Sequence, residues 1–576
     1  MSMAMALRNG IRALASAWLA ILSPVAHARV AYELRPVMAG GSLTAVEVTV
    51  TLRGGSDGRT VLELPDELAG EKERWRRLDG FQVTGARMRE DGPARRVLRS
   101  KPGAAIKIRY RVTTAYAADP TADEEIYKGP AIRPGWLYAM GEFMFVKPGG
   151  RGGEQATLSW TDWPSGWTYG SDADHWRSGR AMTVDDVLES TLLAGPDVRL
   201  LTRPITGGTL RVLVRGKWPF SDDHYADLLS RVLSAQRSFW GDVTGPFTVS
   251  LIQFPQVQGR SAAGGTGRSD GFALFGTPDA AEENLLFVLA HEHIHSWIPR
   301  RLGVRPQPNE IAGYWFTEGF TDFYTQRSLL RSGVWTPEQF VADLNRILFD
   351  YAVSPVRAEP NSRIVADFWT DRRLTYLPYR RGALFAYLSD HEVRRASGGK
   401  ANLDTVIFAM RDKWAAAPAA QKPVLIQSFV EQARRAGFDP QAAMARHMEA
   451  GEQILLPADL FPSCATVKTE NIAAYDAGFD RVKSRETGVV AGVKTDGPAY
   501  AAGLRDGMKF LGRSGGTEGD SRVPAAYRVA DAGAERTIRY QPEGKERIVL
   551  QSVAMLPLGE AWKAACARAM SGAPAQ

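Results

Sequence analysis

The sequence predicts a multidomain α+β protein: an N-terminal antiparallel β-sandwich domain, a mostly helical central domain and a small β-rich domain towards the C-terminus. Three observations predict it. The chain has 576 residues, more than one hydrophobic core accommodates. Apolar and polar residues alternate with period two in the first 205 residues, as in Val46-Glu47-Val48-Thr49-Val50 and Ile106-Lys107-Ile108-Arg109-Tyr110. From about 280 to 436 the period lengthens to that of helices, and after 462 short alternating stretches return.

The divisions follow in order. Residues 1–28 read as a secretory signal peptide, because Arg8 and Arg12 lead the apolar stretch 13–22 and Ala26-His27-Ala28 ends it with a small-x-small cleavage site. The mature chain is then expected to be secreted or periplasmic. No apolar run reaches the roughly 20 residues a spanning helix needs, so no transmembrane segment is expected. Residues 29–205 form the β domain, its strands parted by Gly, Asp and Pro turns. Residues 206–461 form the central domain. It opens with strands near 209–215 and 247–254 around a helix at 221–240, and continues with helices near 280–298, 317–331, 337–351, 381–396, 404–413 and 423–436. Residues 462–560 form the third domain and 561–576 a tail. A net charge of +7 comes from 71 basic residues scattered among 64 acidic ones, without the Lys/Arg block that a nucleic-acid partner needs. The two cysteines, Cys464 and Cys566, flank the third domain. In an oxidising compartment they can close a loop across it; two buried thiols are the other reading.

The chemistry concentrates in the helix near 280–298, which carries His291-Glu292-His293-Ile294-His295 behind an apolar lead-in. Residues four apart on a helix lie one above the other, so His291 and His295 can share one zinc ion. Glu292 then sits beside the ion without ligating it, where a general base belongs. His293 points about 200° around the helix from His291 and is expected to pack rather than ligate. A catalytic zinc takes a third protein ligand. Glu318, in the aromatic stretch 314–324, follows after enough chain to leave one helix and return antiparallel. Asp322, one turn further on, can accept the free ring N–H of a ligand histidine.

His-Glu-x-x-His-Ser-Trp at 291–297 and Trp-Phe-x-Glu-Gly-Phe-Thr-x-x-Tyr at 315–324 together resemble the gluzincin zinc peptidases, most closely the glycyl aminopeptidase family. The resemblance implies a thermolysin-like catalytic domain between an N-terminal β domain and a C-terminal PDZ domain. It assigns one zinc ion per chain to His291, His295 and Glu318, and the base to Glu292. Tyr379-Arg380-Arg381-Gly382 is similar to the family's Tyr-x-Lys-Gly helix start, which implies that Tyr379 stabilises the oxyanion. That family carries Gly-Gly-x-Glu-His ahead of the zinc helix, its Glu taking the substrate's amino terminus. Here Gly264 and Gly265 are the substrate-binding glycines and Gly267 stands in place of the Glu, with Arg268 and Asp270 as the charges at hand. In the third domain, 488–493 followed by 497–508 resembles a PDZ domain, and Ala477-Gly478-Phe479 is the loop that would receive a peptide C-terminus. No groove helix is evident after Gly507, which suits a wall docked on the catalytic domain.

The expected protein is therefore an exported zinc metallopeptidase acting on a peptide or protein substrate. It is of aminopeptidase type with altered recognition of the N-terminus. The alternatives are an endopeptidase of the same fold, or a catalytically weak secreted binding protein that works through the PDZ-like surface.

Overall fold

A computed structural model describes residues 30–572 apart from 68–71, 122–128, 175–180, 242, 257–260, 268–269 and 558. The expected signal peptide and Arg268 lie outside the described residues. The chain forms two compact units, and neither is one continuous stretch. The first takes residues to 114, 141–163 and 180–189; the second takes 115–140, 164–179 and 190 onward. The break expected at 205 instead falls in the middle of a hairpin, because Arg199–Ile205 pairs antiparallel with Gly208–Arg215 inside the second unit.

The first unit holds a five-stranded sheet in the order Ala156–Trp160, Val30–Ala39, Ser42–Arg53, Ala105–Val112, Leu78–Thr84. Its four-stranded sheet runs Lys147–Pro148, Arg59–Glu63, Arg95–Arg99, Arg87–Glu90. The alternation read from the sequence is the burial pattern: Ile106, Ile108, Tyr110 and Val112 are buried while Lys107, Arg109 and Arg111 are exposed. Two buried phenols tie loop to sheet, Tyr110 donating to the Met144 carbonyl at 2.9 Å and Tyr32 to that of Val146 at 3.0 Å. The expected all-antiparallel arrangement has one exception, since Val30–Leu34 runs parallel to Ala156–Trp160. More than a hundred residues separate these strands, ample chain for the crossover a parallel pair requires.

The second unit has a four-stranded sheet (Thr168–Ser171, Thr191–Gly195, Trp136–Met140, Ala131–Arg133) and a mixed five-stranded one. The mixed sheet runs Arg199–Ile205, Gly208–Arg215, Phe247–Gln253, Gly271–Gly276, Ala263–Gly267. Its three inner strands are parallel and almost wholly buried, as strands covered on both faces are. Ala263–Gly267 is an edge strand.

Around this sheet stand α1 (Asp222–Trp240), α2 (Glu282–Ile294), α3 (Gly319–Arg331), α4 (Pro337–Ala352), α5 (Leu377–Ala396), α6 (Leu403–Ala416) and α7 (Leu425–Arg435). Local signals set several ends. Ser221 caps α1, which stops at Gly241 in the left-handed region, and Thr336 with Gln339 forms a reciprocal cap on α4 with Pro337 in its first turn. One boundary differs from expectation in a way that matters. The helix expected to reach 298 ends at Ile294, four residues early, and the chain runs on through turns to Pro299.

Beyond Cys464, strands Ala465–Tyr475 and Glu543–Met555 pair as a two-stranded ribbon. The ribbon carries a small module with a three-stranded antiparallel sheet, Lys509–Gly515, Ala525–Asp531 and Ala534–Tyr540. The expected strand at 488–493 reduces to a single bridge between Val489 and Lys509. The loop between Gly515 and Ala525 contains no helix; at Gly519 it lies against Val353 at the end of α4. The stretch after Ala477-Gly478-Phe479 enters the helix Arg481–Thr487, capped by Asp480. Cys464 and Cys566 are bonded and close this ribbon and module into one loop.

Candidate metal centre

His291 and His295 lie on the last turn of α2 and just past it. The early end of α2 now acquires a use: the Ile298 carbonyl turns back and accepts the His295 Nδ1–H at 2.8 Å. His291 Nδ1 donates at 2.8 Å to Asp322 Oδ1 on α3, as its position one turn beyond Glu318 suggested. A carbonyl and a carboxylate only accept, so both Nδ1 atoms carry the proton and both Nε2 lone pairs are left facing inward.

Glu318 meets them there. It sits between the short helix Tyr314–Thr317 and α3, and its Oε2 is 3.4 Å from Nε2 of each ring. Its other oxygen is held by the Thr317 hydroxyl, which donates to Oε1 at 2.9 Å. Zinc bound tetrahedrally at about 2.0–2.2 Å from each ligand would set its donor atoms about 3.4 Å apart, so these three residues fit that ion. The electrostatics agree. Burial disfavours charge on His291, yet hydrogen bonds to Asp322 and Glu318 drive its pKa well above the usual value, and the nearby Glu318 charge raises that of His295 against the same burial. Burial alone would raise Glu318, but the two imidazoles hold it well below the carboxylate range. Such a site demands positive charge at its centre.

Glu292 also brings a carboxylate oxygen within 4.8 Å of the two imidazoles. Glu318 Oε2, at 3.4 Å from Nε2 of both rings, could complete a three-residue ligand set with the two imidazoles. Burial pushes the Glu292 carboxyl upward, opposed by the charges of His295 and His291. That makes it a better base than an exposed carboxylate. Tyr379, in the first turn of α5, stacks on the His291 ring with centroids 6.0 Å apart. Burial, then the Glu318 and Asp322 charges, raises its pKa.

The strand Ala263–Gly267 forms the other side of this site. A Cβ on Gly267 would stand 3.2 Å from Glu292 Oε2, so a side chain there would crowd the base. A Cβ on Gly265 would meet the Phe272 ring at 2.1 Å, and packing accounts for that glycine without any ligand. Gly264 has open space at its Cβ position. Asp270 is buried at the start of the adjacent strand. His293 faces away as expected, with Nδ1 2.6 Å from Gln236 Oε1 and its ring edge-on to Phe247 and Trp297. Two members of the site had no sequence signature: Ile298 serves through a main-chain carbonyl that every residue has, and Thr317 through a hydroxyl common in helices.

The family model described as M61 glycyl aminopeptidase matches residues 284–371, the stretch holding His291, Glu292, His295, Glu318 and Asp322. The resemblance recognised from the motifs holds for that segment. Among solved structures the chain is similar to an aminopeptidase N family protein from Idiomarina loihiensis, with a TM-score of 0.64 at 16% identity, covering 91% of this chain and 98% of that one. At that identity the likeness is one of fold. It also matches an M1 zinc metallopeptidase from Deinococcus radiodurans bound to a Tyr-Ser-Ala substrate, at 16% identity and a TM-score of 0.44, covering 74% of this chain and 95% of that one. No curated protein sequence matches.

Proposed function

Starting from a metal-binding segment of the M61 glycyl aminopeptidase type, we propose that this protein is an exported zinc metallopeptidase that hydrolyses peptide bonds. One observation carries the reading: Glu318 Oε2 lies 3.4 Å from Nε2 of both imidazoles, beside the half-buried carboxylate of Glu292. Zinc bound there supplies Lewis acidity, polarising the scissile carbonyl and lowering the pKa of water. Glu292 takes the proton of the attacking water and returns it to the leaving amine. Tyr379 donates its hydroxyl to the oxygen on which charge develops. Asp322 and the Ile298 carbonyl keep the two rings in one tautomer and orientation. The substrate backbone lies along the edge strand Ala263–Gly267, whose open side offers main-chain groups for pairing.

Gly267 brings no carboxylate for an α-ammonium group, which weakens recognition of a free amino terminus; the reading is therefore an aminopeptidase-type enzyme with altered N-terminus recognition, with an endopeptidase of the same fold as the second reading. The module beyond Cys464 serves as a wall against α4, consistent with the seating of Gly519 on Val353. The test is turnover of N-terminally free and N-terminally blocked peptides with and without a chelator. E292Q is expected to abolish turnover while zinc remains stoichiometric by elemental analysis. Wild-type turnover in E292Q, or full activity after zinc removal, refutes the reading.

A further inference from the structure

The edge strand beside the centre presents Gly264, Gly265, Thr266 and Gly267, which have no large side chain with which to select a substrate. Discrimination has to come from another wall. The stretch leading into α5 supplies one. Trp369 is 79% exposed, the most exposed large apolar side chain among the described residues, and Tyr376 is 53% exposed. Each is joined to a residue of the centre through a short run of packing or chain. The Trp369 ring packs edge-on against Phe368 at 4.9 Å, and Phe368 packs edge-on against Tyr314 at 5.2 Å. Tyr314 in turn is one helical turn before Glu318, whose N–H donates to the Tyr314 carbonyl at 2.9 Å. Tyr376 is one turn before Tyr379.

The segment that displays these rings is pinned. The Thr375 hydroxyl donates to the Phe368 carbonyl at 3.1 Å, and Asp371 caps the short helix Arg372–Thr375. The Arg380 guanidinium lies over the Tyr376 ring at 5.6 Å while bonding Asp350 at 2.9 Å. Two aromatic faces are thus held open to solvent by a fixed backbone, a geometry that captures apolar side chains at low entropic cost.

We propose that Trp369 and Tyr376 form the subsite for an aromatic or large apolar side chain of the peptide substrate. This rests on the peptidase reading above. The experiment uses the zinc-loaded full chain and peptides with a single Phe moved along a Gly-Ala background, cleavage being mapped by mass spectrometry. At one position relative to the scissile bond the wild type selects Phe over Gly. W369A reduces that selectivity about tenfold, through KM rather than kcat, and W369F restores it. Equal losses on Phe and Gly peptides, or unchanged selectivity in W369A, overturn the proposal. A second measurement keeps it separate from the peptidase reading: in E292Q the Phe peptide shields an accessible tryptophan from acrylamide quenching, and in the E292Q/W369F double variant that shielding is gone. A wild type that cleaves nothing while the shielding persists refutes the peptidase reading alone; absence of shielding refutes the subsite.

Discussion

Asp322 and the Ile298 carbonyl orient the two imidazoles of the candidate centre. Asp322 fixes the tautomer of His291 and adds negative charge behind it, whereas the Ile298 carbonyl does the same for His295 without charge. The two ligand histidines are therefore not equivalent. D322N keeps an acceptor of the same shape but removes the charge, so zinc affinity is expected to fall about 10–100-fold, read by competition with a chromophoric chelator. Unchanged affinity would mean that Asp322 is only a helix-surface charge. That Asp322 would meet a histidine was legible because i to i+4 spacing from Glu318 is a local property of a helix; that the histidine is His291 was not. The partner of His295 was not, since a carbonyl leaves no mark on the residue type.

At the scale of elements, the centre depends on how closely α3 and α5 cross. A Cβ on Gly319 would be 2.3 Å from the Gly382 Cα, and one on Gly382 would be 1.8 Å from the Trp315 carbonyl oxygen. Only glycine at both positions lets α5 bring Tyr379 against the ring of His291 while Glu318 stays between the histidines. Both glycines stand in motifs recognised from the sequence, but their reason is visible only where the helices meet. G382A is expected to push α5 outward, lowering kcat about 100-fold and stability by about 1–3 kcal/mol, measured by steady-state kinetics and thermal unfolding of the same preparation. A stable, fully active G382A would show that the crossing tolerates a methyl group.

At the scale of the molecule, the disulfide is the long-range constraint. Cys464 and Cys566 are 102 residues apart and both are buried, so the bond fastens both ends of the ribbon and its module to the helical core of the second unit. Closing a loop of that length removes chain entropy worth about 4–5 kcal/mol from the unfolded ensemble. C464S/C566S should therefore unfold at a markedly lower temperature than the wild type and lose its sensitivity to reductant, by calorimetry with and without a thiol. Cleavage rates at 25 °C should survive, since the metal centre is built on α2, α3 and α5. Length and texture pointed to more than one unit, but the three domains expected are two compact units. Their boundaries were not legible, because the chain passes between them repeatedly and a hairpin spans the break expected at 205.

What the sequence determined by itself is local in origin. Helix period put His291 and His295 on one face with Glu292 beside them and His293 turned away, and strand period assigned the buried face of Ala105–Val112. Tertiary structure alone decided the 3.4 Å convergence on Glu318 Oε2, the return of the Ile298 carbonyl, the glycine crossing and the exposed ring of Trp369. The physical reason is that periodicity is a property of neighbouring residues. These four features join groups distant in sequence, or use backbone atoms and empty space that no residue type records.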